Sequence, residues 1–285
     1  MNYRHHYHAG GAADLLKHLV LMILVRRLQA KPTPICYLDT HAGTGLYDLG
    51  HEMSQKTGEY TRGVARLWAV RDRLPAPLRD LMRIVAAHNP DGALRMYPGS
   101  PRVVRALLRP EDRMVTCELH MKDIVRLQDE FRGDPQVAVH QRDGYEGLKA
   151  FLPPKERRGL VLIDPPFERA DEFTALLANL KVAHDRWPTG CYALWYPIKG
   201  PVARGKLHAA LMHGTIRKVL CVELYTRPAR EDDTLAGSGL ILVNPPWRTD
   251  AALRGALPVL AEHLAEDDGG HDPHLRTRVE WLVGE

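Results

Sequence analysis

Short apolar runs alternate with helix-like segments along most of this chain, and the alternation limits its fold more than any other feature. The strand-like runs cover residues 35–39, 114–118, 137–140, 160–164, 192–196, 219–224, 240–244 and 277–283. The helix-like segments cover residues 12–30, 102–108, 122–132, 144–151, 171–186 and 201–213. Strands that alternate with helices form a mostly parallel sheet that is covered on both faces. The pattern therefore predicts an α/β fold.

One interval between the predicted strands is too long for a simple doubly wound sheet. In dinucleotide-binding folds, the acid that binds the ribose follows the glycine-rich loop by about 20 residues, whereas here the next strand that ends in an acid lies far beyond that distance. The excess contains two helix-like stretches, 60–72 and 77–88. We therefore predict a sheet domain formed by residues 1–45 and 97–285, with residues 46–96 as a small helical insertion subdomain.

Composition and charge exclude several classes of protein. Of the 285 residues, 45% are hydrophobic and 26% are charged, which is the balance of a folded globular chain rather than a disordered one. The net charge of +4 permits a nucleic-acid partner without requiring one. The longest apolar run, 19–25, is far shorter than the roughly 20 residues that cross a bilayer, and the polar start lacks the apolar segment of a secretory signal. We therefore expect a cytoplasmic protein with no membrane partner.

The cysteines and the amino-terminal histidines give no support for a metal site. The scattered cysteines form no CxxC pair, so we expect buried, reduced thiols at Cys36, Cys117, Cys191 and Cys221. His5, His6 and His8 lie close together in the sequence, but no cluster of acids or cysteines accompanies them. We therefore predict no bound metal.

A glycine-containing loop follows the first predicted strand directly, from Asp39 to Gly45. A dinucleotide fingerprint would carry a third glycine where this chain has Asp48, and the GK[ST] of a Walker loop is also absent. The D-x-x-x-G-x-G spacing fits the loop that binds S-adenosylmethionine (AdoMet) in class I methyltransferases. Asp39 and Gly43 are therefore candidate cofactor contacts, although the loop alone is explained equally well as a plain turn after a strand.

Acids also follow the next two predicted strands. Glu118 ends one of them, at a position where a carboxylate can bind both hydroxyls of a ribose. Asp143 follows the other and can accept a hydrogen bond from an adenine amino group, while Gly144 removes side-chain bulk beside the ring. Taken singly, each acid is better explained as a solvated residue at a strand end. Their order after the glycine loop favours nucleotide binding.

The most informative motif is Asp164-Pro165-Pro166-Phe167, which follows a buried strand. The two prolines stiffen the turn and remove backbone donors, so that the Asp164 carboxylate and a Pro165 carbonyl face the end of the strand as acceptors. Two acceptors on the hydrogens of an exocyclic amine favour a pyramidal, more nucleophilic nitrogen, and Phe167 offers a face on which a base can stack. The alternative is a rigid structural turn.

A second segment, Asn244-Pro245-Pro246-Trp247, also fits the pattern [DN]PP[FYW]. Asp164 follows the fourth strand, which we expect to be central in the sheet. Asn244 follows the last long strand, where such sheets usually carry edge elements. We therefore assign the chemistry to Asp164 and expect Asn244 to be structural or peripheral.

Together these residues resemble the RlmJ (YhiR) family of bacterial 23S ribosomal RNA adenine-N6 methyltransferases. The resemblance extends over nearly the whole chain and rests on residues 3–5, 8–10, 14, 16–18, 37–43, 57–60, 97–101, 118–120, 193–197 and 244–247. It implies a class I AdoMet-dependent methyltransferase sheet, Rossmann-like, with a small helical insertion between the first and second strands. The sequence departs from the family at Phe167, where a tyrosine is common, but phenylalanine keeps the stacking face.

The resemblance also assigns roles to particular residues. It implies that Asp164 is the catalytic acceptor and that Tyr3 contacts the RNA. Without it, His18 on an apolar helix would be interpreted as a core histidine. It implies AdoMet contacts at His18, His41, Ser100, Glu118, Asp143, Gly144 and Asp164.

The resulting hypothesis is a monomeric enzyme that methylates the exocyclic N6 amine of a specific adenine in 23S ribosomal RNA. AdoMet is the methyl donor and S-adenosylhomocysteine is the product. The adenine leaves its stack and lies near Asp164 and Phe167 during direct in-line transfer. Basic residues near the mouth of the site can meet phosphate, although each is more often a solvated charge; they are Arg4, Lys17, Arg62, Arg66, Arg102 and Arg105.

Two alternatives to this hypothesis remain open. One is the same scaffold acting on DNA adenine or protein glutamine, because a phenylalanine in the proline motif excludes neither substrate. The other is a non-enzymatic RNA-binding protein with a decayed site, against which the intact glycine loop and acids argue.

Overall fold

The predicted alternation of strands and helices is present in the structure, a computed structural model that describes residues 4–199, 201–227, 235–264 and 276–284. The predicted RNA contact Tyr3 lies outside the described residues. The strands are β1 (Cys36–Asp39), β2 (Leu46–Asp48), β3 (Met96–Pro98), β4 (Arg113–Glu118), β5 (Val137–Gln141), β6 (Gly159–Ile163), β7 (Cys191–Lys199), β8 (Val219–Tyr225), β9 (Leu235–Val243) and β10 (Thr277–Val283).

The helices follow the same order along the chain. A short 3-10 turn, His5–Tyr7, precedes the first of them. They are α1 (Ala12–Leu28), α2 (Glu52–Thr57), α3 (Glu59–Arg62), α4 (Val64–Ala69), α5 (Leu78–Ala87), α6 (Ser100–Arg105), α7 (Met121–Glu130), α8 (Gly144–Phe151), α9 (Glu172–Arg186), α10 (Pro201–Met212) and α11 (Thr249–Leu264). Helix α11 was not predicted from the sequence, because Gly255 and Pro258 lie inside it and both disfavour a helix interior.

Eight strands form one sheet in the order β10-β8-β9-β7-β6-β1-β4-β5. Five adjacent strands run parallel to one another: β5, β4, β1, β6 and β7. β9 runs antiparallel to both of its neighbours, β7 and β8, and β10 runs antiparallel to β8. The carboxyl ends of the five parallel strands therefore share one edge of the sheet. In open α/β sheets this edge is where ligands bind.

Helices cover both faces of the sheet and give two hydrophobic cores. One core includes α1, α5 and α11, and the other includes α8, α9 and α10. Helix α1 lacks glycine and proline and is apolar on most sides, which fits its nearly complete burial. Its first half reaches the carboxyl edge of the sheet, where Lys17 contacts Asp164, and its end reaches the amino edge, where Gln29 contacts Asp112 just before β4.

The segment between β1 and β4 contains the predicted helical stretches, with some differences. The stretch predicted at 60–72 is two short helices broken at Gly63, where a Cβ atom would lie 2.1 Å from the carbonyl oxygen of Gly10. The short strands β2 and β3 pair where the segment leaves and rejoins the sheet domain. Val64 and Leu81 share a core with α1. The treatment of residues 46–96 as a separate subdomain stays a prediction.

Two exclusions drawn from the sequence can be compared with the structure. Cys36, Cys117, Cys191 and Cys221 are all buried free thiols, as expected. Within the described ranges, every helix is too short or too polar to cross a bilayer.

The second proline motif lies at the opposite edge of the sheet from Asp164. The expectation that its strand is an edge element is wrong, because β9 lies between β7 and β8. β9 runs antiparallel to β7, however, so Asn244 emerges beside the start of β7. Asn244 has a φ of 50° and donates from Nδ2 to the carbonyl oxygens of Pro188 and Gly190, at 2.7 and 3.0 Å. It closes a turn, which is a structural role.

We expect Asn244→Ala to lower the free energy of unfolding by about 1–3 kcal/mol, because two carbonyl groups lose their donor and alanine tolerates a positive φ poorly. Asn244→Gly keeps the backbone conformation and loses only the hydrogen bonds, so its loss should be smaller. Urea denaturation of both variants measures the difference. An Asn244→Ala protein as stable as the parent would contradict the structural role.

Candidate functional site

A cavity opens at the carboxyl edge of the sheet, above β1, β4 and β6. Its lining combines glycine-loop backbone, carboxylates, histidines and a lysine. The lining residues are His5, Lys17, His41, Ala42, Gly43, Tyr47, Gly99, Ser100, Glu118, His120, Asp123, Asp164 and Pro166. Five predicted site residues meet here: His41, Gly43, Ser100, Glu118 and Asp164. His5, Tyr47 and His120 also line the cavity, although the sequence predicted no role in the site for them.

Glu118 ties the loop after β1 to the loop after β4. Its Oε2 accepts a hydrogen bond from the Gly43 amide at 2.8 Å, and its Oε1 accepts one from the His120 amide at 2.7 Å. Gly43 has a φ of 62°, and a Cβ there would lie 2.0 Å from the Tyr47 hydroxyl, so only glycine fits. Burial raises the pKa of Glu118. Each carboxylate oxygen retains a further acceptor site for a ligand hydroxyl.

Asp39 lies behind the cavity wall. Its side chain is fully buried, and its Oδ2 accepts from the hydroxyls of Tyr37 and Ser100 at 2.8 and 2.7 Å. The amide of His41 donates to the other oxygen at 3.3 Å. Protein donors thus reach both oxygens of this carboxylate, which holds Ser100 and the start of the loop, and a direct cofactor contact at Asp39 stays a prediction. Burial raises the pKa of Asp39.

His41 presents one acceptor nitrogen to the cavity. The Thr40 hydroxyl lies 2.7 Å from His41 Nδ1 and donates its own proton to the Leu162 carbonyl at 2.9 Å, so Nδ1 must carry the hydrogen. Nε2 then has a free lone pair. Burial lowers the pKa of His41 to about 4, against an opposing effect of the nearby carboxylates. The ring is therefore neutral at pH 7.

Asp143 and Gly144 begin α8 beside His41. Asp143 Oδ1 accepts from the amides of Tyr145 and Glu146 at 2.9 and 3.1 Å and so caps the helix. A Cβ on Gly144 would lie 2.3 Å from the Thr40 carbonyl oxygen. The glycine is thus required by close packing of α8 on the β1 loop, a reason that the sequence did not reveal. The adenine contact at both residues stays a prediction.

Lys17 is buried between two carboxylates at the centre of the site. Its Nζ lies 2.9 Å from Asp14 Oδ1 and 2.7 Å from Asp164 Oδ2. The expectation that Lys17 is a solvated cation available to phosphate is wrong, because its side chain is 5% exposed. Burial alone would lower the pKa of Lys17, but the two carboxylates hold it well above its usual value.

Asp14 anchors the amino-terminal turn to the same cluster. It accepts from His5 Nε2 and from the Gly10 amide, each at 3.0 Å. Burial favours the neutral acid, but His5 and Lys17 hold the pKa of Asp14 well below its usual range. Asp14 is therefore ionised, and it links the segment before α1 to the lysine that contacts Asp164.

His18 lies one layer deeper than the cavity. Its Nδ1 is 2.8 Å from the Tyr97 hydroxyl, and its Nε2 is buried with no hydrogen-bond partner among the described residues. Burial lowers the pKa of His18 to about 3, so the ring is neutral. The side chain does not line the cavity, and its role as a cofactor contact stays a prediction from the resemblance.

The Asp-Pro-Pro-Phe turn follows β6, which is central in the sheet as expected. Lys17 occupies Asp164 Oδ2, whereas no described residue donates a hydrogen bond to Oδ1. Pro165 is buried, and Pro166 lines the cavity. Phe167 has a φ of 50° and packs edge-on against Phe173 and Trp195, with ring centroids 4.9 and 5.7 Å away.

A cluster of potential metal ligands that the sequence did not suggest lies farther along the sheet, formed by His208, Cys221 and Glu223. The Tyr196 hydroxyl fills the space between them, 2.8 Å from Glu223 Oε1, 3.1 Å from His208 Nε2 and 3.5 Å from Cys221 Sγ. The guanidinium groups of Arg204 and Arg278 lie 3.3 and 3.6 Å from Glu223 Oε2. The cluster is therefore a closed polar network and does not fit a metal ion.

Comparison with known proteins identifies the family of this chain. Residues 32–283 match the family model described as ribosomal RNA large subunit methyltransferase D, RlmJ. The chain is 41% identical over 285 residues to ribosomal RNA large subunit methyltransferase J of Escherichia coli K12, and 39% identical over 286 residues to the protein of the same name from Haemophilus influenzae, with complete coverage of both chains in each case.

A solved structure extends the comparison to three dimensions. The crystal structure of protein LPL1258 from Legionella pneumophila superposes with a TM-score of 0.86 at 30% identity, covering 97% of this chain and 98% of that one. The predicted fold class is confirmed. The chain belongs to the RlmJ family of ribosomal RNA large-subunit methyltransferases, and it is a methyltransferase with a Rossmann-like α/β fold.

Proposed function

We propose that this methyltransferase transfers a methyl group from AdoMet to the exocyclic N6 amine of a specific adenine in 23S ribosomal RNA. The observation that carries the proposal is the pairing of Asp164 with Lys17, which occupies one carboxylate oxygen and leaves the other open at the cavity. The two curated relatives carry names of large-subunit ribosomal RNA methyltransferases, which supports RNA as the substrate. A cytoplasmic, monomeric enzyme is part of the same proposal.

The residues around the cavity fit AdoMet. Gly43, which a side chain could not replace beside Tyr47, lines the cavity with loop backbone. Glu118 keeps acceptor capacity for ribose hydroxyls, and the neutral His41 offers Nε2 as an acceptor. Ser100 lines the same cavity, and the buried, unpartnered Nε2 of His18 lies behind it. When bound, AdoMet supplies an electrophilic methyl group on a sulfonium centre.

The residues of this chain then orient the amine and manage its proton. Asp164 Oδ1 accepts one hydrogen of the adenine amine, and the Pro165 carbonyl accepts the other. Lys17 fixes the position of the carboxylate through Oδ2 and stabilises its negative charge. The amine keeps its proton until the new C–N bond forms and the S–C bond of the methyl donor breaks, which leaves a neutral thioether, and the carboxylate then takes the proton. Alignment and electrostatics supply the acceleration, without a covalent intermediate on the protein.

Incubation with labelled AdoMet and separate pools of RNA, DNA and protein tests the substrate. The decisive sample is large-subunit ribosomal RNA from cells that lack this activity, digested to nucleosides after the reaction. Label in N6-methyladenosine supports the proposal. Label confined to DNA or protein would support the alternative substrates on the same scaffold, and absence of AdoMet binding in calorimetry would favour a non-enzymatic RNA-binding protein.

We expect Asp164→Asn to lower kcat by about 10²- to 10⁴-fold, because the amide keeps the shape of the side chain but cannot accept the proton. Calorimetry should show an AdoMet Kd within about tenfold of the parent value, since one hydrogen bond is worth roughly 0.5–1.5 kcal/mol. A variant with unchanged kcat would contradict the assignment of Asp164 as the proton acceptor.

We expect Lys17→Met to lower the free energy of unfolding by about 3–5 kcal/mol, because it leaves buried carboxylates without their cation. The double variant Lys17→Met/Asp14→Asn removes one of these charges and should recover stability. Its kcat should stay low, because Asp164 still lacks the ammonium group that positions it. Urea denaturation measures the effect of each variant on stability, and methyl-transfer rates measure its effect on kcat. Recovery of full activity in the double variant would show that Lys17 is only structural.

A further inference from the structure

A second groove crosses the amino edge of the sheet, opposite the catalytic cavity. Its floor is apolar and includes Met22, Ile23 and Pro77. The end of α1, the start of α5 and the loops before β6 and β7 form its walls. The Asn-Pro-Pro-Trp turn, which the catalytic site does not use, closes one side.

Trp247 stands at this side with its indole in solvent. It is 81% exposed, more than any other large hydrophobic residue that the structure describes. The guanidinium carbon of Arg248 lies 5.1 Å from its ring centroid. An exposed tryptophan with an arginine beside it is a stacking surface for an unpaired base.

The turn that carries Trp247 is held in place from three directions. Asn244 donates to two carbonyl groups of the loop before β7. The Thr249 hydroxyl donates to the Pro246 carbonyl at 2.6 Å, and Arg27 Nη1 donates to the Trp247 carbonyl at 3.2 Å. The backbone is therefore fixed while the side chain is exposed, an arrangement that reduces the ordering cost of binding.

The groove is positively charged. Arg26, Arg27, Lys31 and Arg158 line it, against one carboxylate, Asp80. Asp80 lies 3.7 Å from Arg26. It also lies 3.0 Å from Arg83, a residue that does not line the groove. Arg158 donates to the backbone carbonyls of Leu28 and Thr33. These acceptors are uncharged, so they do not neutralise the positive charge of its guanidinium group.

We propose that this groove binds an unpaired stretch of the RNA substrate, with a base stacked on Trp247 and phosphates near Arg26, Lys31 and Arg158. The inference rests on the proposed function, since it takes the ligand to be RNA. Excess positive charge beside an exposed aromatic ring favours a nucleic acid over a protein partner.

The groove and the catalytic cavity lie at opposite ends of β6. Asp164 in the cavity lies five positions after Gly159 in the groove, about 17 Å away at strand rise. The groove therefore contacts RNA outside the target nucleotide. It contributes to RNA affinity and to the choice of sequence context, and it leaves the chemical step unchanged.

The first test compares Trp247→Ala with Trp247→Tyr, which keeps an aromatic face. The probe is fluorescein-labelled oligouridylate of about 16 nucleotides, the upper range for a single-strand site. We expect Trp247→Ala to raise the probe Kd by roughly 5- to 150-fold, as for the loss of one stacked base. Trp247→Tyr should stay within about threefold of the parent. In turnover with large-subunit ribosomal RNA, Trp247→Ala should raise KM by a similar factor with kcat unchanged.

The second test examines the charges through salt dependence. For the double variant Arg26→Gln/Lys31→Gln, we expect the slope of log affinity against log salt to fall by about 0.7 for each phosphate that the variant no longer neutralises. Lys181→Gln is the control, because this lysine is also exposed and lies beside a carboxylate, as Arg26 does, but is on α9, which covers the other face of the sheet. Its slope should equal that of the parent.

The results for the parent protein and for the variants distinguish a failure of the groove proposal from a failure of the proposed function. If the parent protein transfers no methyl group to ribosomal RNA, the proposed function fails, whatever the groove variants show. If the parent does methylate RNA, but Trp247→Ala leaves probe Kd and KM unchanged and the charge variant keeps its salt slope, the groove does not bind RNA. A Trp247→Ala protein that is defective on assembled ribosomal particles but normal on free ribosomal RNA and on the probe would likewise overturn the proposal.

Discussion

The buried bridge of Lys17 with Asp14 and Asp164 is the interaction on which the rest of the site depends. It joins the amino-terminal turn, the first buried helix and the central strand at one ammonium group. Burying a lysine is unfavourable unless opposite charges surround it, and here two carboxylates do so. The helix that carries Lys17 can therefore be almost wholly apolar and still bring a cation to the cavity at the carboxyl edge of the sheet.

The direction of each strand decides which residues become functional. Two segments of this chain share the same proline-containing motif, and each follows a buried strand. β6 is parallel to β1 and ends at the cavity, whereas β9 is antiparallel and ends at the opposite edge. Asp164 thus lies beside Lys17, while Asn244 closes a turn and holds Trp247 at the surface. The motif supplies a rigid turn in both places, and the topology determines its use.

Local sequence patterns predicted the strands of the main sheet because buried strands are continuous apolar runs. They placed Gly43 and Glu118 at the carboxyl edge of the sheet, because Gly43 lies in the loop after β1 and Glu118 is the last residue of β4. Helix α11 was missed because Pro258 contradicts helix propensity, and tertiary packing overrides it. Lys17 was misplaced because its partner Asp164 is 147 residues away in the sequence. The burial of Asp39 behind Ser100 was not predicted, because it depends on a contact across 61 residues.

Helix α1 spans the molecule from one edge of the sheet to the other. Lys17 lies near one end, and Arg27 lies ten residues later, about 15 Å along the axis at helical rise. Because the helix is packed on nearly all sides, this separation is fixed and cannot adapt to the ligand. The helix therefore sets a fixed distance between Lys17 at the cavity and Arg27 at the groove, and in the function and groove binding proposed above, an RNA that reaches both edges has to bridge that distance.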